Sequence, residues 1–519
     1  MPKMTKDSEI ELKLLINPAD AGAFRQLALW RKKGIAKPVR RKVFCVYFDT
    51  PDLLLKQHCM AMRLRRVGSK WMQTLKTAGN STGGLHQRGE WEYPLSDPQL
   101  DLSRFRDTPL ASLAQSQALH LKLKPLFTTE FVRTAWLLET SPGQQVEVAL
   151  DMGVIRCAGR EAEISEVEIE LLDGSAATVY DCALTLARQI PLRPEILSKA
   201  ERGYGLFQCE PLVPRRAAVV TLKREWRLDE AMRVIVAACI DHFAANVDGA
   251  LTRDDLEYIH QLRVSLRRLR SAMRIFRPAH AGHIAEELKW LTGALGDARD
   301  WDVLMSTSLP ALLATFGDSR LAIDLTETGE QRQADARAVA RNALASARAA
   351  QLQIAIGRWL GVAGELTLQP RRDTGKHHAA HRPAIPRLPQ LASSEIRRRR
   401  RRLLRASGHR KDSLAALSAA SCHRVRILAK RLRYAVDFLS SLFDESEVTP
   451  TLKILGNLQD LLGETNDNAV AMRLVDSIGA PKRFIDFARG WFAMRTEARL
   501  VEADRLIAEL RNARQFRKD

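Results

Sequence analysis

The stretch SEIELKLLI, residues 8–16, decides how the first half of this chain folds. Its charged residues Glu9, Glu11 and Lys13 alternate with isoleucine and leucine. In a β-strand, successive side chains point to opposite faces, so this segment would have one apolar face and one charged face. A helix is the alternative, because Glu9 and Lys13 also form an i,i+4 pair. The remainder of the sequence has to separate these two interpretations.

The composition indicates a folded protein with a strongly basic second half. The chain has 519 residues, enough for two or three domains, and a formal net charge of +20. That charge is uneven, because residues 1–210 carry about +4 and the remainder about +16. A charge of this size predicts a polyanionic partner for the second half, such as nucleic acid, an acidic membrane surface or polyphosphate.

The sequence also predicts a cytoplasmic location. It has no run of about 18 apolar residues that would indicate a membrane span, and its first residues lack the apolar segment of a signal peptide. The seven cysteines are scattered and show neither a CxxC pair nor a zinc-binding spacing. Free thiols in a reducing compartment are therefore expected.

The chain divides into a β-rich half and a helical half. Between residues 8 and about 206, short segments of alternating hydrophobicity are separated by turn formers such as Gly68-Ser69 and Asp173-Gly174. From about Glu225 the pattern becomes helical, with long segments rich in alanine, leucine and arginine. We therefore predict an α+β multidomain protein, with an antiparallel β domain followed by an all-α domain.

The helical half contains an internal repeat. HQLRVSLRRLRSAM from His260 aligns with HRVRILAKRLRYAV from His423, and LGDARDWDV from Leu295 aligns with LGETNDNAV from Leu462. The offsets are 163 and 167 residues, which indicates a duplicated unit and not a chance match. Between the copies, the basic segment 369–390 is rich in proline and histidine and is interpreted as a flexible connector.

The predicted strands of the first half have one charged face and one apolar face. Some charged faces are almost purely carboxylate, as at Glu166, Glu168 and Glu170, and others are cationic, as at Arg63 and Arg65. An ordinary sheet with one solvated face is the simpler interpretation. Like charges at i,i+2 repel, however. Mg²⁺ or Mn²⁺ on the carboxylates and a polyphosphate on the cations would remove that repulsion.

The ordered set of motifs resembles the CYTH superfamily, the triphosphate tunnel metalloenzymes. EIELKL matches the ExExK signature of that family, and MRLRR, QTLKT, RGEWE, VEVALDMG, SEVEIEL and LSKAERGYGL follow in the family's order. The resemblance covers residues 8–206. It implies an eight-stranded antiparallel β-barrel with flanking helices and with charged side chains in its bore, so it favours the strand at residues 8–16.

The resemblance also implies roles for the charged residues of the tunnel. A divalent metal, Mg²⁺ or Mn²⁺, would be held by Glu9, Glu11, Glu168 and Glu170. Triphosphate would be bound by Lys13, Arg63, Arg65, Lys76, Arg88, Arg133 and Lys199. The candidates for a further metal site or for orienting the cations are Glu90, Glu92, Glu147 and Asp151. The catalytic group would comprise Glu9, Glu11 and Lys13, with Lys13 as a candidate general base if neighbouring cations lower its pKa.

The implied chemistry is metal-dependent hydrolysis of inorganic triphosphate to pyrophosphate and phosphate. A class IV-type adenylate cyclase, or an organic triphosphatase acting on thiamine triphosphate or a nucleotide, would use the same tunnel. A polyphosphate-binding scaffold with an inert tunnel is the alternative that is not an enzyme. Nucleic-acid binding is disfavoured, because the sequence contains no recognisable nucleic-acid module or patterned aromatic platform.

The helical half resembles the CHAD domain, the conserved histidine α-helical domain. The resemblance covers about residues 220–510. It implies two four-helix bundles related by a pseudo-twofold repeat, binding of inorganic polyphosphate, and association with polyphosphate granules. The candidate polyphosphate-binding residues form one basic stripe on each repeated helix: His260, Arg263, Arg267, Arg270, His423, Arg426, Lys430 and Arg433. A solvated, salt-bridged stripe is the alternative for either helix.

The domain boundaries follow from these patterns. We predict a tunnel domain at 1–208, a linker at 209–222 and a helical domain at 223–515. The helical domain would contain a first repeat at about 225–365, the basic linker at 369–390 and a second repeat at about 391–515. The tract of six arginines at 397–402 would surround a helix, and we expect that helix to be solvated or partly disordered.

Overall fold

The chain forms two compact units. The computed structural model describes residues 9–77, 79–114, 122–278, 281–361, 386–408, 413–513 and residue 516. The first unit consists of the residues up to Val213 together with Ala345–Ala363, and the second consists of Pro214–Leu344 together with the residues from Gly364 onward. Residues 369–385 of the predicted basic linker lie outside the described residues.

The first unit is built around one antiparallel sheet of eleven described strands. They are β1 (Glu9–Ile16), β2 (Val39–Asp49), β3 (Met60–Val67), β4 (Lys70–Thr77), β5 (Asn80–Thr82), β6 (Leu85–Arg88), β7 (Glu90–Leu95), β8 (Lys124–Ser141), β9 (Gln144–Cys157), β10 (Arg160–Asp173) and β11 (Leu192–Pro194).

Sixteen α-helices are described. Those before residue 210 are α1 (Ala21–Arg25), α2 (Leu29–Lys33), α3 (Leu54–Gln57), α4 (Ala111–Ala114), α5 (Ala176–Ala187) and α6 (Lys199–Gln208). The later ones are α7 (Leu228–Thr252), α8 (Leu256–Phe276), α9 (Gly282–Val303), α10 (Leu309–Phe316), α11 (Ser319–Ala345), α12 (Ala347–Gly361), α13 (Leu388–Ala406), α14 (Ala419–Leu439), α15 (Glu445–Ser477) and α16 (Lys482–Asn512).

The sheet closes into a barrel because β6 and β7, which follow each other along the chain, pair with different strands. The hydrogen-bonded order is β6-β1-β10-β9-β8-β2-β3-β4-β7. β6 pairs with β1 and β7 pairs with β4, and only Gly89 separates β6 from β7 along the chain. Counted as one strand, β6 and β7 complete a wall of eight strands, which confirms the predicted barrel. The three-residue strands β5 and β11 are additions to this wall.

The two faces of β1 have the predicted character. Leu12, Leu14 and Ile16 are buried in the core that the barrel shares with α5. Glu11 and Lys13 alternate with them and are each 3% exposed, so the charged face is buried as well. Because both faces are covered, the segment is a strand of the tunnel wall, and the helical alternative for residues 8–16 is wrong.

A helix from the second half of the chain completes the first unit. α12 packs on α5, where the Arg358 Nε donates a hydrogen bond to Asp181 Oδ1 at 2.6 Å. The ring of Tyr180 lies against Gly357, where an added Cβ would stand 2.7 Å from Cε1. The sequence pattern placed all residues to about 365 in the first helical repeat, whereas the contacts of α12 group it with the β unit.

The second unit is helical and repeats one arrangement. α8 and α14 each contain 21 residues and carry the two basic stripes, and α9 and α15 carry the LGDARD and LGETND motifs. Arg268 of α8 forms an ion pair with Asp437 of α14, and its guanidinium lies 4.6 Å from the centroid of the Phe438 ring. The all-helical second half and its duplication are therefore confirmed.

Among the described helices, α7 alone is long and apolar enough to cross a membrane. The most apolar window of α7 has a mean hydropathy of 1.4, and 61% of that window is buried within the fold. Ile235, Cys239 and Val247 are among its buried side chains. The apolar side chains of α7 therefore form part of the core of the helical unit.

Candidate functional site

Strand register brings charged residues side by side in the tunnel. Glu11 on β1 lies opposite Glu170 on β10, and Glu170 lies opposite Glu147 on β9. Two residues further along β1, Lys13 lies opposite Glu168. Directly opposite residues on antiparallel strands share a face and have neighbouring Cβ atoms. Glu11, Glu147 and Glu170 therefore form a row across three strands, which we call the carboxylate row.

The tunnel encloses a cavity of about 740 Å³. Every tunnel residue predicted from the sequence, except Asp151, contributes to the lining of this cavity. Asp151 is fully buried and forms ion pairs with Arg133 and Lys199 at 2.7 Å each. The structure thus brings the predicted residues together around one enclosed space.

The buried cations of the tunnel are paired with carboxylates. Lys13 Nζ lies 2.9 Å from Glu11 Oε2 and also bonds Glu168. Lys76 Nζ lies 3.0 Å from Glu9 Oε2 and pairs with a further carboxylate at 2.8 Å. Charges that are removed from water are stable only when they are paired and hydrogen-bonded, so this pairing permits a charged interior.

The surroundings of Lys13 keep it protonated. Burial lowers the pKa of Lys13, but Glu11 and Glu168 raise it by more, so the net shift is upward. Burial raises the pKa of Glu11, but Lys13 and Arg88 bring it below its ordinary value. Both groups are therefore charged at neutral pH. These surroundings stabilise the ammonium form of Lys13, and its general-base role stays a prediction.

Three arginines of the cavity keep a donor for a ligand. Arg63 pairs with Glu90 at 3.4 Å, and Arg65 pairs with Glu92 at 3.0 Å. The Nε–H groups of Arg63, Arg65 and Arg88 are nevertheless buried, with no acceptor among the described residues. A buried donor without an acceptor is costly. These donors on cavity-lining side chains indicate that the cavity takes an anion.

A second acidic cluster is already filled by a lysine. Carboxylate oxygens of Asp151, Glu166 and Glu168 lie within 4.8 Å of one another. Lys199 Nζ lies 2.7 Å from Asp151 Oδ2 and 3.0 Å from Glu168 Oε1, and it also bonds Glu166. Ser198 caps helix α6 at this point and so fixes the position of Lys199. The Lys199 ammonium group occupies the position that a metal ion would take, so this cluster does not fit a metal while Lys199 is bound to it.

The carboxylate row is the other candidate for a divalent cation. Its three carboxylates are not a group whose oxygens all lie within 4.8 Å of one another among the described residues, so binding a metal there requires the side chains to move. Three carboxylates side by side on adjacent strands repel one another unless a cation lies between them. Carboxylate oxygens are the ligands that Mg²⁺ and Mn²⁺ prefer. Glu9 lies two residues from Glu11 on the same face and lines the same cavity. The predicted metal ligands in this group are Glu9, Glu11 and Glu170. Glu9 and Glu11 each pair with two cations in this structure, whereas Glu168 is bonded to three.

Basic residues from both repeats meet in the helical unit. Arg263 and Arg267 lie on α8, and Arg426 and Lys430 occupy the equivalent positions on α14. Burial, followed by Arg426 and Arg267, lowers the pKa of Lys430 to about 7. Such an effect requires the four side chains to be close together. We call these four residues the basic cluster.

The basic cluster holds unsatisfied donors. Arg263 Nη1, Arg267 Nε and Arg426 Nε are buried, with no acceptor in the part of the chain that the structure describes. Asp300 on α9 and Asp467 on α15 lie near these arginines. Burial raises the pKa of Asp300 above its ordinary value. Four cations therefore face two carboxylates, which leaves an excess of positive charge for a ligand.

The remaining predicted polyphosphate-binding residues are less central. Burial and then Arg299 lower the pKa of His260 to about 4, so this histidine is neutral at pH 7. Arg270 lies near Arg274 and is not one of the four residues of the basic cluster. His423 is exposed, and no contact described here joins it or the predicted Arg433 to the cluster.

Sequence reasoning missed several residues of both sites. Glu166 belongs to the cluster around Lys199, and its i,i+2 spacing from Glu168 was the available signal. His86 lies opposite Glu11 on β6 and lines the cavity. Burial and then Lys13 lower the pKa of His86 to about 4. In the helical unit, Asp300 and Asp467 occupy equivalent places in the two repeated motifs, but no role had been assigned to them.

Two domain families match this chain. The CYTH domain model matches residues 7–204, and the CHAD domain model matches residues 234–476. The tunnel lies within the first match and the basic cluster within the second. The chain therefore combines a CYTH domain with a CHAD domain, as its motifs predicted.

Similar proteins are known for each part. An inorganic triphosphatase from Haemophilus influenzae is 34% identical over 205 residues, which are 38% of this chain and 54% of that protein. The chain thus spans about half the length of this relative. The CHAD domain structure from the plant Ricinus communis shares 28% identity, covers 59% of this chain and 99% of its own, and has a TM-score of 0.50. A putative adenylyl cyclase from Hippeastrum, described as having a dominant triphosphatase activity, shares 20% identity over 40% of this chain and 98% of its own, with a TM-score of 0.28.

Proposed function

We propose that the tunnel hydrolyses inorganic triphosphate to pyrophosphate and phosphate. The observation that carries this proposal is the lining of one cavity by buried cations and carboxylates from opposite walls of the barrel. The match of 205 residues of this chain to an inorganic triphosphatase, at 34% identity, supports the same substrate. A triphosphate carries its negative charge along its whole length, which suits a bore that is charged throughout.

The cations of the tunnel would bind the phosphate oxygens: Lys13, Arg63, Arg65, Lys76, Arg88, Arg133 and Lys199. Their carboxylate partners hold them in place before substrate arrives, so little reorganisation is needed as charge develops in the transition state. The Nε–H groups of Arg63, Arg65 and Arg88 have no hydrogen-bond acceptor among the described residues, so they supply donors that a phosphate oxygen would satisfy. Lys13, which is held protonated by Glu11 and Glu168, contributes a fixed positive charge.

The carboxylate row and Glu9 would hold the metal, for which we propose Mg²⁺ or Mn²⁺. When bound there, the metal would polarise a phosphoryl oxygen and lower the pKa of a bound water. Glu168 has a different task, because it bonds Lys13 and also accepts from Arg133. It orients two phosphate-binding cations and does not need to be a metal ligand.

The test uses the full chain and measures phosphate release from inorganic triphosphate. Mg²⁺ and Mn²⁺ are added after chelation, and cyclic AMP and phosphate from ATP are followed in parallel. We expect release from triphosphate that stops on chelation and returns with either metal. Cyclic AMP formation from ATP, without hydrolysis of triphosphate, would instead identify a cyclase.

We further propose that the helical unit binds inorganic polyphosphate. The basic cluster gathers four cations from two equivalent helices and leaves three guanidinium donors without acceptors. A linear polyphosphate offers many oxygen acceptors and repeated charge, which satisfies these donors by charge-assisted hydrogen bonds. Polyphosphate and RNA should be compared as competitors at stated salt concentrations, because both polyanions respond to ionic strength. RNA that displaces polyphosphate at equal charge would favour a nucleic-acid partner.

We also propose that the protein works in the cytoplasm, near polyphosphate granules. All seven cysteines are free thiols, which suits a reducing compartment. Cell fractionation should recover the protein with the cytosol and the granules. Recovery with the membranes after a high-salt wash would count against this location.

A further inference from the structure

Two cysteines lie beside one arginine at the edge of the barrel. Arg160 contacts the Sγ of Cys209 through Nη1, and its Nη2 donates to the carbonyl of Phe207 at 3.4 Å. Cys157 lies directly opposite Arg160 in the β9–β10 register. Burial raises the pKa of Cys157, the neighbouring Arg160 lowers it in part and Cys209 raises it again, so both groups lie close to this thiol. Two thiols therefore share the surroundings of one guanidinium.

The backbone fixes the place of both cysteines. Cys157 ends β9 at a two-residue turn formed by Ala158 and Gly159, whose φ angles are 47° and 79°. Such a turn joins two strands tightly. Cys209 follows the last residue of α6 with a φ of 52°, and its N–H donates to the carbonyl of Leu206 at 3.4 Å. A left-handed residue at this point is a common end of a helix, so secondary structure positions the two thiols.

The two cysteines differ in their access to solvent. Cys209 is exposed, whereas Cys157 is only 3% exposed. Cys157 nevertheless lines a second cavity of about 360 Å³, which lies between the β9–β10 turn and the start of β8. This open space leaves room for the Cys157 side chain to turn. Exposed thiols beside a cation and a second thiol are typical of redox-sensitive sites.

We propose that Cys157 and Cys209 form a reversible disulfide when the protein meets a peroxide, and that this bond fastens the end of α6 to the barrel. Arg160 is long and half-buried, so its guanidinium can swing away and let the two sulfurs meet. At the other end of α6, Lys199 already bonds the buried carboxylates of Asp151 and Glu166. The disulfide would therefore hold this cavity-lining helix at both ends. Neither proposed activity is needed for the bond to form.

The chemistry has two steps and uses hydrogen peroxide as the oxidant. The exposed Cys209 thiolate attacks one peroxide oxygen, so that an S–O bond forms, the O–O bond breaks and the first water leaves after taking up a proton. The Cys157 sulfur then attacks the sulfenic acid of Cys209, so that the S–S bond forms and the S–O bond breaks with loss of a second water. The two thiols lose two electrons, which reduce the peroxide. A dithiol returns these electrons and restores both thiols.

The test follows the cysteines of the full chain in the wild type, Cys209→Ser and the control Cys59→Ser. Cys59 is the other exposed cysteine of the seven. After thermal unfolding has confirmed that the variants are folded, each protein is treated with hydrogen peroxide, and half of each sample is then reduced with dithiothreitol. Remaining thiols are alkylated in urea, and linked peptides are mapped by mass spectrometry. Amide hydrogen exchange at residues 199–208 of the folded samples measures how firmly α6 is held.

We expect a peptide pair linked through Cys157 and Cys209 in the oxidised wild type and in Cys59→Ser, and no such pair in Cys209→Ser. Exchange in α6 should slow by at least about tenfold on oxidation and recover on reduction, again except in Cys209→Ser. A link from Cys209 to Cys59 or to a second chain would overturn the assigned pair, as would Cys209 recovered as sulfinic acid beside an alkylated Cys157. The expected disulfide without slower exchange would overturn the fastening of α6.

Discussion

Lys199 is the residue on which the buried charge of the tunnel depends most. Its ammonium group contacts Asp151, Glu166 and Glu168, and the first two are completely buried. Burial lowers the pKa of Lys199, but these carboxylates raise it well above its ordinary value. Lys199 therefore contacts three acids, which it balances together with Lys13, Arg133 and Arg202. It also fixes the beginning of α6 against the barrel.

Replacement of Lys199 by Met should destabilise the first unit strongly. The three buried carboxylates would keep only Lys13, Arg133 and Arg202 as partners among the described residues, and loss of one partner from a buried network costs about 3–5 kcal/mol. Urea unfolding at pH 7 measures this loss of the free energy of unfolding. The loss should shrink as the pH falls, because carboxylates without their cation have raised pKa values in the folded state and take up protons there. Lys70→Met, at the exposed first residue of β4, is the control and should change little.

Lys430 should make the proposed binding of polyphosphate depend on pH. Burial, Arg426 and Arg267 lower the pKa of Lys430 to about 7, so the free side chain loses its proton as the pH rises through that value. A bound polyanion raises the pKa again, so binding above pH 7 takes up a proton. The affinity for polyphosphate should therefore fall between pH 6 and pH 9, by up to about tenfold per pH unit.

The matched variant for this pH dependence is Lys430→Arg. Arginine remains charged over the whole range, so the slope of log Kd against pH should flatten in this variant. Titration calorimetry in two buffers of different ionisation heat would count the proton taken up. A slope that is identical in the wild type and Lys430→Arg would show that another group titrates.

Helix α13 shows that neighbouring elements can bury part of a run of arginines that the sequence alone predicts to be solvated. The sequence led us to expect the arginines at 397–402 on a solvated or partly disordered helix. Instead, Arg400 is buried and its Nη2 donates to the carbonyl of Leu510 at 2.6 Å, at the end of α16. Arg399 is buried against Glu395 at 3.2 Å. The last carbonyls of a helix have no partner within it, so they are strong acceptors for such arginines.

The contact between α12 and α5 should be sensitive to the size of residue 357. Gly357 lies against the buried ring of Tyr180, and even one added Cβ would stand 2.7 Å from that ring. Gly357→Leu should lower the free energy of unfolding by about 1–3 kcal/mol through overpacking. Gly490→Leu is the control, because Gly490 is also helical and nothing lies within 4 Å of its Cβ position. Chemical denaturation of both variants measures the difference, and equal stability would exclude a tight contact.

Strand alternation predicted the faces of the barrel because the side-chain period of a strand is fixed at two residues. It could not predict how the barrel closes, since closure depends on the partner change at Gly89, where a Cβ would lie 2.5 Å from the Trp91 ring. It also could not assign α12, because helical periodicity reports a buried face and not the element that covers it.

At the scale of the whole molecule, each unit gathers its own group of cationic side chains. The ion pairs of the tunnel join strands that are far apart in the sequence. Lys13 and Glu168, for example, are 155 residues apart. The basic cluster gathers its cations from two repeats. The motifs predicted most of the charged residues that line the tunnel cavity and the four residues that form the basic cluster, because motif order and repeat spacing are visible in the sequence. The sequence does not predict which ion pairs form or that the pKa of Lys430 is lowered, because both depend on how the elements pack.

The most direct measurement of the central claim is phosphate release from inorganic triphosphate by the wild type, the double variant Glu9→Gln/Glu11→Gln and the control Glu163→Gln. Glu163 is exposed on β10, five residues from Glu168 and on the other face of the strand. We predict metal-dependent release by the wild type and the control, and a loss of at least about 100-fold in the double variant, because its metal ligands are gone while the size of each side chain is kept. Release at the wild-type rate by a folded double variant would contradict hydrolysis in the tunnel.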